Sequence, residues 1–213
     1  ESLIGEYGLR TGRFTSPHLT SITERISVDG QPLTDERFVE VYHDVLPYIQ
    51  MVDQKSVAAG GPMLSFFEVL VVMAYAAFAD APVDVAVIEV GMGGTWDATN
   101  VIEAEVAVIT PISFDHQIWL GNTLDAITQE KVGIIKPWAA VVSAIQPEEA
   151  AEILYSAAAA AGARLVREGV DIAVLDRQVG VGGQLVTLRG TGGIYTDVFI
   201  PLHGEHQTHN ALL

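Results

Sequence analysis

Strands alternating with helices over residues 64–167 predict an α/β fold: a mostly parallel sheet flanked by helices, with a small antiparallel β meander near the C-terminus. Three observations carry that expectation. Residues 83–90 (VDVAVIEV) are a nearly continuous β-branched run, the pattern of a strand covered on both faces. Similar runs recur at 105–110 and 139–145, with helical stretches at 123–134 and 147–161 between and after them. Beyond Asp171 the rhythm changes to short alternating strands at 172–175, 184–189 and 195–200, split by glycine pairs.

The remaining elements follow in order. Residues 12–18 read as a short strand or loop leading into Ser16-Pro17-His18, and 27–32 as a turn with Asp29-Gly30 at its tip. Residues 34–45 read as a helix with Thr34 as N-cap, and 53–62 as a Gly/Ala/Ser-rich loop. Residues 64–80 read as a buried helix. Pro147 stands in the first turn of the Ala-rich helix at 147–161, and 164–167 is a candidate fourth strand. There is no internal repeat and no low-complexity linker.

Composition narrows the function classes. The chain has 213 residues, room for one large α/β domain or one domain with part of another. With 49% hydrophobic residues it can build a sizeable core. A formal charge of −16, from 11 basic and 27 acidic residues, argues against nucleic acid or an anionic membrane as partner. An anionic nucleotide would then need backbone N–H groups, a divalent cation or a few well-placed basic side chains. Cysteine is absent, which removes disulfides and thiolate metal sites and suits the cytoplasm. The longest apolar stretch, 69–78, is too short to span a bilayer. The chain does not begin with Met and ends inside an apparent helix, so a fragment is expected; a monomer is expected too.

In open parallel sheets, ligands bind outside the carboxyl ends of the strands. That rule selects Glu89, followed by Gly91-Met92-Gly93-Gly94, and Asp115-His116 after the next strand. Glu89 is either a metal-bound or paired carboxylate, or a cap for backbone N–H groups of the glycine loop. His116 is a candidate metal ligand or general acid/base, or a satisfied loop histidine. Lys131, by position alone, is a solvated helix lysine. The glycine loop is not a dinucleotide fingerprint, because Trp96 stands where the last Gly should be. It lets backbone approach something closely. Asp97, Thr99 and Asn100 behind it either cap a turn or touch a ligand. A G-x-x-x-x-G-K-[ST] phosphate loop is absent from these residues.

Six blocks, in order, resemble folylpolyglutamate synthase/dihydrofolate synthase of the Mur ligase superfamily. They are Thr15-Ser16-Pro17-His18-Leu19 with Glu24-Arg25-Ile26; Ser65-Phe66-Phe67-Glu68; 89–94 with Asp97-Ala98-Thr99-Asn100; Asp115-His116 with Leu120-Gly121; Glu130-Lys131-Val132-Gly133 through Lys136; and Gly204-Glu205-His206-Gln207 with Asn210. The resemblance implies a P-loop-type α/β central domain over 1–203, with the meander at 172–202 inside it and 204–213 starting a helix toward a further domain. It implies Mg²⁺ on Ser16, Glu89 and His116, a carbamylated Lys131, and catalytic roles for Glu89, His116 and Lys131. It implies pterin contacts from Ser65, Phe66, Phe67, Glu68, Trp96, Asp97 and Ala98, and a nucleotide contact from Asn210. The implied reaction uses ATP to join L-glutamate to dihydropteroate or a reduced folate through an acyl phosphate. The family's phosphate loop would precede Glu1 and its C-terminal domain would follow Leu213, so these 213 residues alone are expected to be inactive. Thr95 and Trp96 depart from the family, where a basic and an aliphatic residue are common. Another Mur-type ligase, a non-catalytic remnant, and an unrelated nucleotide-binding domain are the rival readings.

Overall fold

Turn formers between short β-branched runs organise the N-terminal part of the chain. The computed structural model describes residues 1–213 as two units. The first comprises Glu1–Met92 and Asp97–Val101, the second Gly93–Trp96 and Ile102–Leu213.

In the first unit, helix α1 (Ser2–Glu6) precedes strands β1 (Thr11–Phe14), β2 (Ile26–Val28) and β3 (Gln31–Pro32). Helices α2 (Asp35–Ala58) and α3 (Phe66–Asp80) and strand β4 (Val85–Ile88) complete it. The sheet order is β3-β2-β1-β4, with β1 antiparallel to β2 and parallel to β4. Asp29 and Gly30, both at positive φ, turn the chain between β2 and β3, as their sequence predicts. Thr34 caps α2 by accepting a hydrogen bond from Arg37 N at 3.2 Å.

Helix α2 runs through Pro47 and most of the expected 53–62 loop, so the expected end at 45 is corrected. Val41, Val45 and Ile49 are buried at a spacing of four, one stripe that continues past the proline. Burial of Ile49 offsets the hydrogen bond that Pro47 cannot donate. Only 59–62 remain irregular, with Gly60 at φ 80° ending the helix. Phe14, Ile26, Leu70 and Met73 are the most deeply buried large side chains of this unit's core.

The second unit contains strand β5 (Val106–Ile109), helices α4 (Gln117–Leu120) and α5 (Leu124–Lys131), strand β6 (Ala140–Ser143), helix α6 (Glu148–Ala160) and strand β7 (Arg164–Arg167). Strands β8 (Ala173–Gly180), β9 (Gly183–Gly190) and β10 (Gly193–Ile200) and helix α7 (Glu205–Leu212) follow. β5, β6 and β7 pair in parallel, and β8, β9 and β10 form the antiparallel meander. The parallel pairing expected of the whole run is therefore divided between two sheets. Ala150, Leu154 and Ala158, four apart on α6, are buried, and Ile127 and Val141 join the first two in one core. A second small core, Val186, Leu188 and Ile200 with Leu212 packed on it, lies under the meander.

Three expectations change here, the first being that no residue of β4 is buried and Ala86 is exposed, although the 83–90 run reads as covered on both faces. The meander strands are eight residues each, because Val181-Gly182 and Thr191-Gly192 make tight turns instead of long breaks. Strand β5 is covered on one face only: Ala107 and Ile109 are buried while Val106 and Val108 are 57% and 44% exposed. A β-branched run marks strand propensity, and burial on the second face does not follow from it.

Candidate functional site

Within the first unit, Glu89 stands one residue past the end of β4. Its backbone N–H donates to Phe14 O at 2.9 Å, extending the pairing of β4 with β1. Its carboxylate Oε2 accepts from Ser16 N at 2.8 Å and from the Thr15 hydroxyl. The expected cap of the glycine loop is corrected: the carboxylate caps the Ser16 backbone and pairs with the Thr15 hydroxyl. A hydroxyl and a carboxylate oxygen meet at one strand end, and hard oxygen donors are what Mg²⁺ prefers. Sequence pattern gives Thr15 no role; its only signal is its place beside Ser16.

Ser65 and Glu68 form a capping box on α3. Ser65 N donates to Glu68 Oε2 at 2.6 Å and Glu68 N to Ser65 Oγ at 3.3 Å. The S-x-x-E spacing is legible in sequence, and it gives both residues a structural duty besides any contact with substrate. Phe66, on the first turn, is 59% exposed, and the Arg25 guanidinium lies 5.5 Å from its ring centroid. Arg25 Nε also donates to His18 Nδ1 at 2.9 Å. Phe67 is half-buried, tilted against Phe14 and packed where a Cβ on Gly91 would go. Of the aromatic pair, one ring is core and one offers a face.

Asp97 ties the far side of the glycine loop. Oδ2 accepts from Met92 N and Oδ1 from Thr99 N, each at 2.9 Å. Ala98, beside it, packs on the first unit's core. The Tyr75 hydroxyl donates to Thr99 O at 2.7 Å, and its burial, with Asp97 nearby, pushes its pKa from 10.0 up to about 12. Because the folded value is raised, Tyr75 contributes stability below pH 10 that is lost as pH climbs through about 12. Tyrosinate absorbance should therefore show one late-ionising group that disappears in Tyr75→Phe.

In the second unit, the loop packs against the end of α5. Thr95 N donates to Glu130 O at 2.9 Å and Thr95 Oγ to the same oxygen at 3.2 Å. A Cβ on Gly94 would stand 2.5 Å from Glu130 O and 2.9 Å from Lys131 O, and one on Gly133 would overlap Thr95. Glycine is required at both positions by backbone approach. Half-buried Lys131 is the last residue of α5, followed by a 3-10 turn at Val132–Ile134. His116 has φ 49° and leads into α4, and its N–H donates to Asp115 Oδ1 at 2.7 Å. Trp96 is 87% exposed, and Asn210 is exposed on α7. Of the site residues, Ser16, Glu89, Ser65–Glu68, Asp97 and Ala98 belong to the first unit; Trp96, His116, Lys131 and Asn210 belong to the second.

Residues 64–213 match the Mur ligase middle domain. A dihydrofolate synthase/folylpolyglutamate synthase of Mycobacterium tuberculosis is 51% identical, over 100% of this chain and 46% of the relative. The Bacillus subtilis protein of the same description is 33% identical, over 100% of this chain and 49% of the relative. A solved Mycobacterium tuberculosis folylpolyglutamate synthase, complexed with ADP and AMPPCP, matches with TM-score 0.95 over 99% of this chain and 48% of that one. A solved FPGS–AMPPCP–folate complex is 34% identical, with TM-score 0.92 over 98% of this chain and 50% of that one. The chain spans about half the length of the curated relatives it matches. No helix is long and apolar enough to cross a membrane.

Proposed function

The chain belongs to the Mur ligase family, and from that premise we propose that it is part of an ATP-dependent ligase joining L-glutamate to a pterin carboxylate. Residues 1–203 would be its central nucleotide-binding domain. The observation that carries the reading is Glu89, whose carboxylate at the end of β4 holds the Ser16 backbone beside it.

The γ-phosphoryl of ATP passes to the acceptor carboxylate, giving an acyl phosphate. The amine of glutamate then attacks that carbonyl, and phosphate leaves. Phosphoryl transfer is largely positioning and charge neutralisation, so the protein's task is to hold two anions close. Ser16, Glu89 and His116 would hold Mg²⁺, which supplies charge neutralisation on the phosphate oxygens. A carbamate on Lys131 would turn a cation into an anion at the end of α5. The exposed ring of Phe66 offers a flat face to the pterin, with Phe67 supporting it from the core. Asn210 contacts the nucleotide from α7. Trp96 and Asp97 border the acceptor.

The comparison with relatives supports folate over peptidoglycan precursors as acceptor class, because those cited are all folate enzymes. The test is phosphate release by the full gene product with ATP, Mg²⁺, glutamate and either dihydropteroate or a reduced folate. Release that needs both glutamate and a pterin is expected. Release driven by a UDP-sugar peptide in place of the pterin would move the chain to another Mur-type branch.

A further inference from the structure

Of 27 acidic residues, Glu168 alone is buried, and the reaction described above gives it no part. It stands one residue past the end of β7, at the rim of the parallel sheet. Its backbone N–H donates to Ser143 O at 2.9 Å. Its carboxylate Oε2 accepts from Ile145 N at 3.2 Å, and Oε1 meets Nδ1 of His209 on α7. A buried carboxylate persists only where such partners compensate its lost hydration.

A second buried polar side chain grips the same helix. Gln184 on β9 is 1% exposed. Its Nε2 donates to Leu202 O and to Gly204 O, both at 2.9 Å, while its Oε1 accepts from Arg177 Nε at 2.7 Å. Gly204 is the N-cap of α7 and has no side chain with which to cap it. Gln184 therefore fixes the turn that enters α7, Glu168 fixes its middle, and Leu212 anchors its end on Val186, Leu188 and Ile200. A helix of eight residues has little stability of its own, so its placement comes from these three attachments. Asn210, the neighbour of His209, is left exposed.

We propose that Glu168 and Gln184 are positioning residues for nucleotide binding: together they clamp α7 so that Asn210 is presented to the nucleotide, which neither of them touches. The proposal rests on the reading of Asn210 as a nucleotide contact. The clamp acts on one helix, so the acceptor's binding is independent of it.

The experiment uses the full gene product and its variants E168A, H209A, E168A/H209A, Q184A and N210A. It measures AMPPCP affinity in the presence of Mg²⁺, pterin affinity, and amide exchange along 205–212. E168A is expected to weaken AMPPCP about tenfold, leave pterin affinity unchanged and speed exchange in α7. The double variant should be no weaker than the weaker single one, because both changes break the same bond. Wild-type AMPPCP affinity in E168A, while N210A weakens it, overturns the clamp and leaves the Asn210 reading standing. Wild-type affinity in N210A overturns that reading and the clamp with it. Equal loss of nucleotide and pterin affinity in E168A makes Glu168 a general stability residue and also overturns the proposal. If E168A does not fold, H209A breaks the same bond from the helix side, and wild-type AMPPCP affinity there overturns it as well.

Discussion

Gly94→Ala is expected to destabilise the full gene product by about 2–4 kcal/mol and to cost ligation at least about tenfold. The added methyl group would sit 2.5 Å from Glu130 O and 2.9 Å from Lys131 O. Both are backbone atoms at the junction of α5 and the 3-10 turn, so neither can swing aside as a side-chain tip would. The junction must open, and Lys131 moves with it. Gly180→Ala is the control: nothing lies within 4 Å of its added Cβ, and its effect should stay within about 0.5 kcal/mol. Urea unfolding of the two variants, with glutamate ligation assayed in parallel, checks both statements. Equal stability of the two would show that the loop does not seat on that corner.

Glu89→Gln separates chemistry from structure. The amide keeps the shape of the side chain and an oxygen that can accept from Ser16 N, where the carboxylate bond is now 2.8 Å. Stability should fall by no more than about 1 kcal/mol. The negative charge at the end of β4 is lost, and with it the Mg²⁺ ligand proposed above. Ligation should fall by about 100- to 1,000-fold, with the loss chiefly in kcat. Activity within a few-fold of the wild type would remove Glu89 from the site.

The fold was legible where hydrophobic period and turn chemistry agree. The runs that became β4, β5 and β6, the Asp29-Gly30 turn and the meander all follow from local pattern. The reach of α2 did not, because Pro47 and the small residues near 58 suggest an ending that the buried stripe Val41, Val45 and Ile49 overrides. Nor did the exposed face of β5, since valine favours strands whether or not a second layer covers them. Strand-end position selects Glu89 and His116 as candidates, by a topological rule readable before any coordinates. Thr15, Tyr75 and Glu168 were not found. Their importance lies in partners 74, 24 and 41 residues away in sequence, and no periodicity records such pairs. The capping box at Ser65 and Glu68 shows a different lesson. A residue assigned to a ligand can already be committed to its own helix.

The proposed reaction turns the pterin carboxylate into an acyl phosphate before glutamate attacks. Heavy-oxygen label placed in that carboxylate tests it most directly, using the full gene product with ATP, Mg²⁺ and glutamate. Phosphoryl transfer to the carboxylate leaves one of its oxygens bridging carbon and phosphorus, and that oxygen departs with phosphate when the amide forms. One labelled oxygen is expected in each phosphate released, in step with glutamate incorporation. Unlabelled phosphate accompanying full incorporation would contradict it.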